Sequence, residues 1–184
     1  METSFKSERR LIRIAVLGPE STGKTELCNY LANHFNTTWV PEYARAYLQN
    51  RPGNYTREDI LYCASGQRAL EDAKASEADC YLFCDTDMIN FKVWMTDKFG
   101  SAPDWITADI LNRYDAYLLT SPDIPFVSDP MRENPERREF FFNWYRREVE
   151  ATGLPFEIIT GDGTKRLHNA VDAVQRLREA TSVV

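Results

Sequence analysis

The sequence predicts an α/β fold, a five-stranded parallel sheet with helices on both faces. Three observations carry this reading. Short apolar runs alternate with helix-patterned segments along the whole chain. Those runs lack polar alternation, as strands covered on both sides do. The first run is followed by Gly18-Pro19-Glu20-Ser21-Thr22-Gly23-Lys24-Thr25, which fits G-x-x-x-x-G-K-[ST] with a strand before it and a helix after it.

Residues 11–17 form the first strand, apolar except for Arg13. Residues 24–35 form a helix with Leu27, Leu31 and Phe35 on one face. "TTWV" at 37–40 is a short strand rich in β-branched and aromatic residues. "PEYARAYLQN" turns helical, with Pro41 suited to the first turn. "RPGNY" at 51–55 is a loop, and Thr56 with Asp59 reads as a capping box for a helix reaching about Ala78. "CYLFCD" at 80–85 is a buried strand, followed by helices over 88–98 and 104–114. "AYLLT" at 116–120 is the fourth strand. Residues 121–137 hold four prolines and form a lid-like loop, and residues 136–151 a helix. "FEIIT" at 156–160 is the fifth strand. The last helix carries Leu167, Ala170, Val171, Val174 and Leu177 on one face.

The 184 residues suit one domain, expected over 1–184. A net charge of −6 argues against general attraction to nucleic acid or anionic lipid. No apolar run approaches the ~20 residues of a membrane span. The opening "METSFKSERR" is polar and has no signal core, so a cytoplasmic location is expected. Cys28, Cys63, Cys80 and Cys84 form no CxxC pair, and His34 and His168 are the only histidines. Neither a zinc site nor a disulfide is expected. The sequence leaves the oligomeric state open.

Gly18 to Thr25 form a loop whose glycines let several N–H groups turn toward one phosphate chain. The helix that begins near Lys24 and Glu26 adds its positive end. Lys24 is expected at the β- and γ-phosphates, and the Thr25 hydroxyl at Mg²⁺. Asp85 ends an apolar strand, where a carboxylate holds that metal directly or through water. Asp87 follows two residues later and has two readings, a cap for the helix at Met88 or a group at the acceptor. Glu42 and Arg45 come just past the second strand. They read either as an exposed ion pair or as a carboxylate and an arginine at a phosphoryl acceptor. In the lid-like loop, Arg132 is expected to close over the phosphates, whereas Arg138 reads as part of a solvated helix start balanced by Glu133, Glu136 and Glu139.

"GPESTGKT", "EYARAYL", "GQRALE", "CDTD" and "PDIPFVSDPMR" occur in this order, and with their spacing the chain resembles the ribosylnicotinamide kinase domain of NadR-type proteins from about Ile12 to the last helix. The Walker motif is shared widely; the E-Y-x-R, D-T-D and lid D-x-x-R set is much more specific. The resemblance implies a P-loop kinase fold. It implies ATP- and Mg²⁺-dependent phosphorylation of the 5′-hydroxyl of nicotinamide riboside, a small-molecule nucleoside. By position it assigns phosphate binding to Gly18, Pro19, Glu20, Ser21, Thr22, Gly23, Lys24, Thr25 and Glu26. Glu42 and Arg45 fall at the nucleoside pocket, Gln67 and Arg68 match a "QR" pair on the long helix, Asp85 and Asp87 flank the metal and the acceptor, and Asp129 and Arg132 belong to the lid. A family aromatic that stacks on nicotinamide precedes E-Y-x-R. Pro41 holds that position here, and Trp39 or Tyr43 are the candidates to replace it. The lid reads "SDP" where a second carboxylate and a glycine are usual. Neither a helix-turn-helix nor an adenylyltransferase domain is expected, and the two histidines form no H-x-G-H. The alternative is a nucleotide-dependent switch or interaction module. No N-K-x-D guanine signature is present, and an AAA machine would call for more chain and another arginine-bearing subdomain.

Overall fold

A computed structural model describes residues 10–49 and 54–181 of the chain. The polar start and the first three residues of the loop expected at 51–55 lie outside the described residues. The elements are β1 (Ile12–Leu17), α1 (Lys24–His34), β2 (Thr38–Val40), α2 (Tyr43–Leu48), α3 (Arg57–Ala75), β3 (Tyr81–Asp85), α4 (Met88–Phe99), α5 (Asp104–Arg113), β4 (Ala116–Thr120), α6 (Arg138–Thr152), β5 (Phe156–Ile159) and α7 (Gly163–Thr181). A 3₁₀ turn, Pro135–Arg137, leads into α6, so the helix expected from residue 136 begins at Arg138.

The five strands pair in parallel in the order β2-β3-β1-β4-β5. Side chains alternate between two buried layers, as the pleat requires. Ile14, Val16, Phe83, Ala116 and Leu118 pack with α1 and α7 residues such as Leu27, Leu31 and Val174. Ala15, Leu17, Leu82, Cys84, Tyr117 and Leu119 pack on the other face with residues of α2 to α6, among them Ile60, Phe91, Ile106 and Val149. Burial on both faces explains why the strands read as continuous apolar runs.

The capping box forms at α3: Thr56 Oγ1 accepts the Asp59 N–H at 3.2 Å, and Asp59 Oδ2 accepts the Thr56 N–H at 2.9 Å. The helix ends at Ala75, three residues short of the expected Ala78. Ser76 turns its hydroxyl back to the Ala73 carbonyl at 2.8 Å, an alternative to continuing the helical ladder.

β1 lies between β3 and β4, and the chain leaves it toward β2 on one side, then later crosses from β3 to β4 on the other. The carboxyl ends of β1 and β3 therefore form a switch point, where open parallel sheets bind ligands.

Candidate active site

A cavity of about 370 Å³ opens at that switch point, lined by the loop after β1, Glu42 after β2, Thr86 after β3, one face of α4 and part of the lid. The loop after β1 is held by close packing. A Cβ on Gly18 (φ 152°) would lie 2.1 Å from Thr120 Oγ1, so only glycine fits there. Gly23 enters the left-handed region (φ 77°) to start α1. The Thr22 hydroxyl bonds the Pro19 carbonyl at 2.8 Å and Thr120 Oγ1 at 2.7 Å. Lys24 Nζ donates to the carbonyls of Gly18 and Pro19, both at 2.9 Å.

From α7, the nearly buried Arg166 braces this loop. It donates to Thr22 O at 3.1 Å, Ser121 O at 2.8 Å, Gly161 O at 2.8 Å and the Asp123 carboxylate at 2.7 Å. No sequence signal marks this brace, because a lone arginine opening an amphipathic helix looks like any exposed one.

The Thr25 hydroxyl donates to Asp85 Oδ2 at 2.5 Å. Asp85 is 1% exposed, and its other oxygen is buried without a hydrogen-bond partner. Burial raises its pKa, with Lys24 and the Thr25 hydroxyl opposing. A Mg²⁺ ion fits this pair: one carboxylate oxygen and one hydroxyl suffice when phosphates and waters complete the octahedron. Among the described residues no cluster of three or more His, Cys, Asp or Glu forms a cage of its own.

Glu42 stands at the N-terminus of α2 without making a capping bond. Burial, and then the Asp85 charge, push its pKa up to about 6, against the pull of Lys24 and Arg45. Arg45 also lines the cavity and pairs with Asp129 Oδ2 at 3.1 Å, while Asp129 Oδ1 accepts the Met131 N–H at 2.9 Å.

The lid is tied to the loop after β1 at several points. Glu20 accepts the backbone N–H groups of Glu133 at 3.1 Å and Asn134 at 2.9 Å. Ser21 Oγ accepts the Val127 N–H at 2.8 Å. Arg132 reaches Ser21 Oγ at 3.4 Å and bonds the Val127 carbonyl. Arg138 departs from the expected solvated role. Its guanidinium donates to Ile124 O at 2.9 Å and Ser21 O at 3.0 Å, because α6 starts at Arg138 and aims its first side chain across the lid.

Part of the cavity wall is aromatic, built from Tyr55, Trp94, Phe141 and Tyr145. The Tyr55 and Trp94 rings meet edge to face at 5.0 Å. Trp94 Nε1 donates to the Tyr55 hydroxyl at 3.0 Å, which donates to Glu133 at 3.1 Å, and Lys98 pairs with Glu133 at 2.7 Å. The Tyr145 hydroxyl donates to Asn90 Oδ1 at 2.9 Å. Apart from Glu133, read from the sequence as a charge balancing the arginines, no residue of this network stands out in the sequence. Their signal was spacing: Asn90, Trp94, Asp97 and Lys98 share one face of α4, as do Phe141 and Tyr145 on α6.

Seven expected residues do not line the cavity: Asp85 and Asp129, whose bonds to Thr25 and Arg45 are given above, and Trp39, Tyr43, Gln67, Arg68 and Asp87. Trp39 alternates out of it, packing with the α1 and α7 layer, while its neighbour Val40 faces the other way. Tyr43 lies flat on α3, where a Cβ at Gly66 would touch its ring at 2.4 Å. Gln67 is fully buried behind the site, accepting the Tyr43 N–H at 2.8 Å and donating to Asp85 O at 3.5 Å. Arg68 points outward and pairs with Asp109 at 3.3 Å across α3 and α5. Asp87 takes the capping role, accepting the Asn90 N–H at 3.0 Å, and burial lifts its pKa to about 7.

Comparison with known proteins agrees with this architecture. The trifunctional NAD biosynthesis/regulator protein NadR of Escherichia coli (strain K12) is 32% identical over 137 residues, 69% of this chain and 33% of that protein. The NadR of Salmonella typhimurium is 32% identical over 126 residues, 65% of this chain and 30% of that protein. This chain thus spans about a third of the length of the curated relatives it matches. A crystal structure of a NadR protein in complex with NR matches with a TM-score of 0.78 at 26% identity, over 90% of this chain and 49% of that one. A deoxyadenosine kinase from M. mycoides shares the fold at 12% identity with a TM-score of 0.55, over 90% of this chain and 100% of that one. Among the described residues no helix is long and apolar enough to cross a membrane. The family model for an AAA domain, AAA_28, matches residues 13–166, most of the chain, and the chain belongs to that family.

Proposed function

We propose that the protein transfers the γ-phosphoryl group of ATP to the 5′-hydroxyl of nicotinamide riboside, giving nicotinamide mononucleotide and ADP. One observation carries this reading. A phosphate loop, a carboxylate with a raised pKa and an aromatic chamber share a single cavity. A hydrolase acting on the nucleotide alone has no use for the chamber. Its rings offer faces to a flat, positively charged heterocycle, which aromatic quadrupoles attract. The NR bound to the similar NadR structure, read as nicotinamide riboside, supports the same acceptor.

In this reading the loop from Gly18 to Thr25, with Glu26 beside it, holds the phosphates, and Lys24 follows the transferring group. Thr25 and Asp85 would hold Mg²⁺, which supplies charge neutralisation at the phosphates when bound. Glu42 takes the proton of the acceptor hydroxyl as its oxygen bonds to the γ-phosphorus. The bond from that phosphorus to the bridging oxygen of ADP breaks in the same displacement. A carboxyl group with a pKa near 6 is ionised at neutral pH and still basic enough for this task. Arg45 and Asp129 fix the rim beside the sugar, and Arg132 draws the lid over the phosphates.

The test is an ATP-consumption screen over nucleosides that includes nicotinamide riboside, with the product identified by mass. Phosphorylation of nicotinamide riboside is the expected result. Tight ATP or GTP binding with slow hydrolysis indifferent to every nucleoside would overturn the reading in favour of a regulatory switch.

A further inference from the structure

Three residues other than glycine have a positive φ among the described residues: Ser21, Asn36 and Thr86. Ser21 belongs to the phosphate loop, and Asn36 is a residue type that tolerates the left-handed region in turns. Thr86, at φ 76°, is neither. A β-branched side chain there is a genuine outlier, because its Cβ substituents crowd the backbone. Such conformations persist where the surroundings over-determine them, and they cluster at ligand sites.

Three further facts converge on this residue. Thr86 lines the cavity directly after β3, in the same chamber as Glu42. Its backbone N–H is held by the Val16 carbonyl at 3.3 Å, which anchors it to the end of β1. It is 1% exposed, yet its hydroxyl is buried with no hydrogen-bond partner. A buried hydroxyl without a partner is unfavourable unless a ligand completes it. Packing alone would be served by valine, and the backbone alone by glycine.

We propose that the Thr86 hydroxyl is a substrate-binding group that takes a ribose hydroxyl of the acceptor nucleoside. The strained turn holds it rigidly between the phosphate loop and Glu42, so the sugar is fixed with its 5′-oxygen toward the phosphates. This inference rests on the kinase reading and names a contact within it.

Three variants separate the hydroxyl from the strain. Thr86→Val keeps the branched shape and removes the hydroxyl, Thr86→Ser keeps the hydroxyl, and Thr86→Gly removes both hydroxyl and strain. KM and kcat for nicotinamide riboside, KM for ATP and melting temperature are measured for each. Thr86→Val is expected to raise the acceptor KM at least tenfold with the ATP KM within twofold, and Thr86→Ser to stay within threefold of wild type. Thr86→Gly is expected to lose the acceptor like Thr86→Val while melting at or above the wild-type temperature. If Thr86→Val does not fold, Thr86→Gly carries the same comparison. An acceptor KM within twofold of wild type in the folded hydroxyl-free variants would overturn this inference alone. A wild type that turns over no nucleoside would overturn the kinase reading, and this inference with it.

Discussion

Glu20 reaches from the phosphate loop to Asn134 in the lid, its Oε2 accepting that residue's backbone N–H at 2.9 Å, while Oε1 accepts the N–H of Glu133 at 3.1 Å. One side chain therefore bonds two consecutive lid residues and helps to set the spacing between the loop after β1 and the segment that carries Arg132. Two adjacent N–H bonds into a carboxylate are stronger than bonds between neutral groups. Glu20→Ala is expected to loosen the lid, admit water and raise ATP hydrolysis relative to transfer. The check is the ratio of ADP to nucleoside monophosphate formed, expected near one in wild type and well above one in the variant.

The raised pKa of Glu42 has a kinetic and a stability consequence. With a folded pKa of about 6 against an ordinary 4.5, the native state binds this proton more tightly than the unfolded chain. The relative stabilisation is fully present below about 4.5 and is lost as pH rises through 6. Glu42→Gln, which mimics the protonated form, is expected to melt above wild type at pH 8. That gain should shrink toward zero near pH 4.5. Its kcat for nicotinamide riboside should fall by about 10²–10⁴-fold. The acidic limb near pH 6 in the wild-type kcat/KM profile should be absent from the variant. Melting curves and pH–rate profiles of the two proteins check both signs.

Behind the site, Glu71 is fully buried and accepts from Arg113 through Nε and Nη2, each at 3.1 Å, and from the Tyr114 hydroxyl at 2.9 Å. Tyr114 in turn accepts the Met88 N–H at 3.3 Å, which ties the network to the start of α4. Burial lifts the Glu71 pKa to about 7 against the pull of Arg113. Arg113→Ala leaves this carboxyl group without its counter-ion and is expected to destabilise the fold by about 3–5 kcal/mol at pH 8. The loss should be smaller at pH 6, where Glu71 takes up a proton. Adding Glu71→Gln to Arg113→Ala should recover much of it. Chemical denaturation at the two pH values measures all three proteins.

The features legible in the sequence were those encoded locally. The phosphate loop is eight consecutive residues, and the strand–loop–helix context around it is contiguous. The strands stood out because both sheet faces are buried. What escaped detection depends on packing between distant segments. Trp39 belongs to a strand of only three residues, too short for a pattern to fix which face its ring takes. The aromatic chamber draws Tyr55, Trp94 and Tyr145 from three separated stretches, and no single stretch looks unusual alone. Asp87 had two open readings, and the capping one is realised because α4 starts immediately after it.

The chamber itself can be tested through Trp94. Its ring lines the cavity beside Tyr55, and its indole N–H holds the Tyr55 hydroxyl. Trp94→Leu keeps apolar bulk but removes the ring face and that bond. An aromatic face over a cation is worth about 0.5–2 kcal/mol, so the KM for nicotinamide riboside should rise roughly 2- to 30-fold, with the ATP KM little changed. An uncharged nucleoside, if phosphorylated, should lose less. Parallel kinetics with the two acceptors give the comparison.

Arg132 distinguishes a kinase from a switch. It bonds the Val127 carbonyl and reaches Ser21 at 3.4 Å, so the structure holds it at the junction of lid and phosphate loop. In a kinase, closure over both substrates brings such an arginine onto the transferring group, where its contact strengthens as charge spreads over the equatorial oxygens. Arg132→Ala should therefore lower kcat by orders of magnitude while ATP affinity changes only a few fold. Closure also excludes water, so wild-type ATP turnover without an acceptor should be slow and should rise sharply when nicotinamide riboside is added. A switch gives the opposite pattern, with hydrolysis unchanged by the nucleoside and an Arg132→Ala variant equally indifferent to it. Coupled ADP release with and without acceptor, measured on wild type and variant together, distinguishes the two.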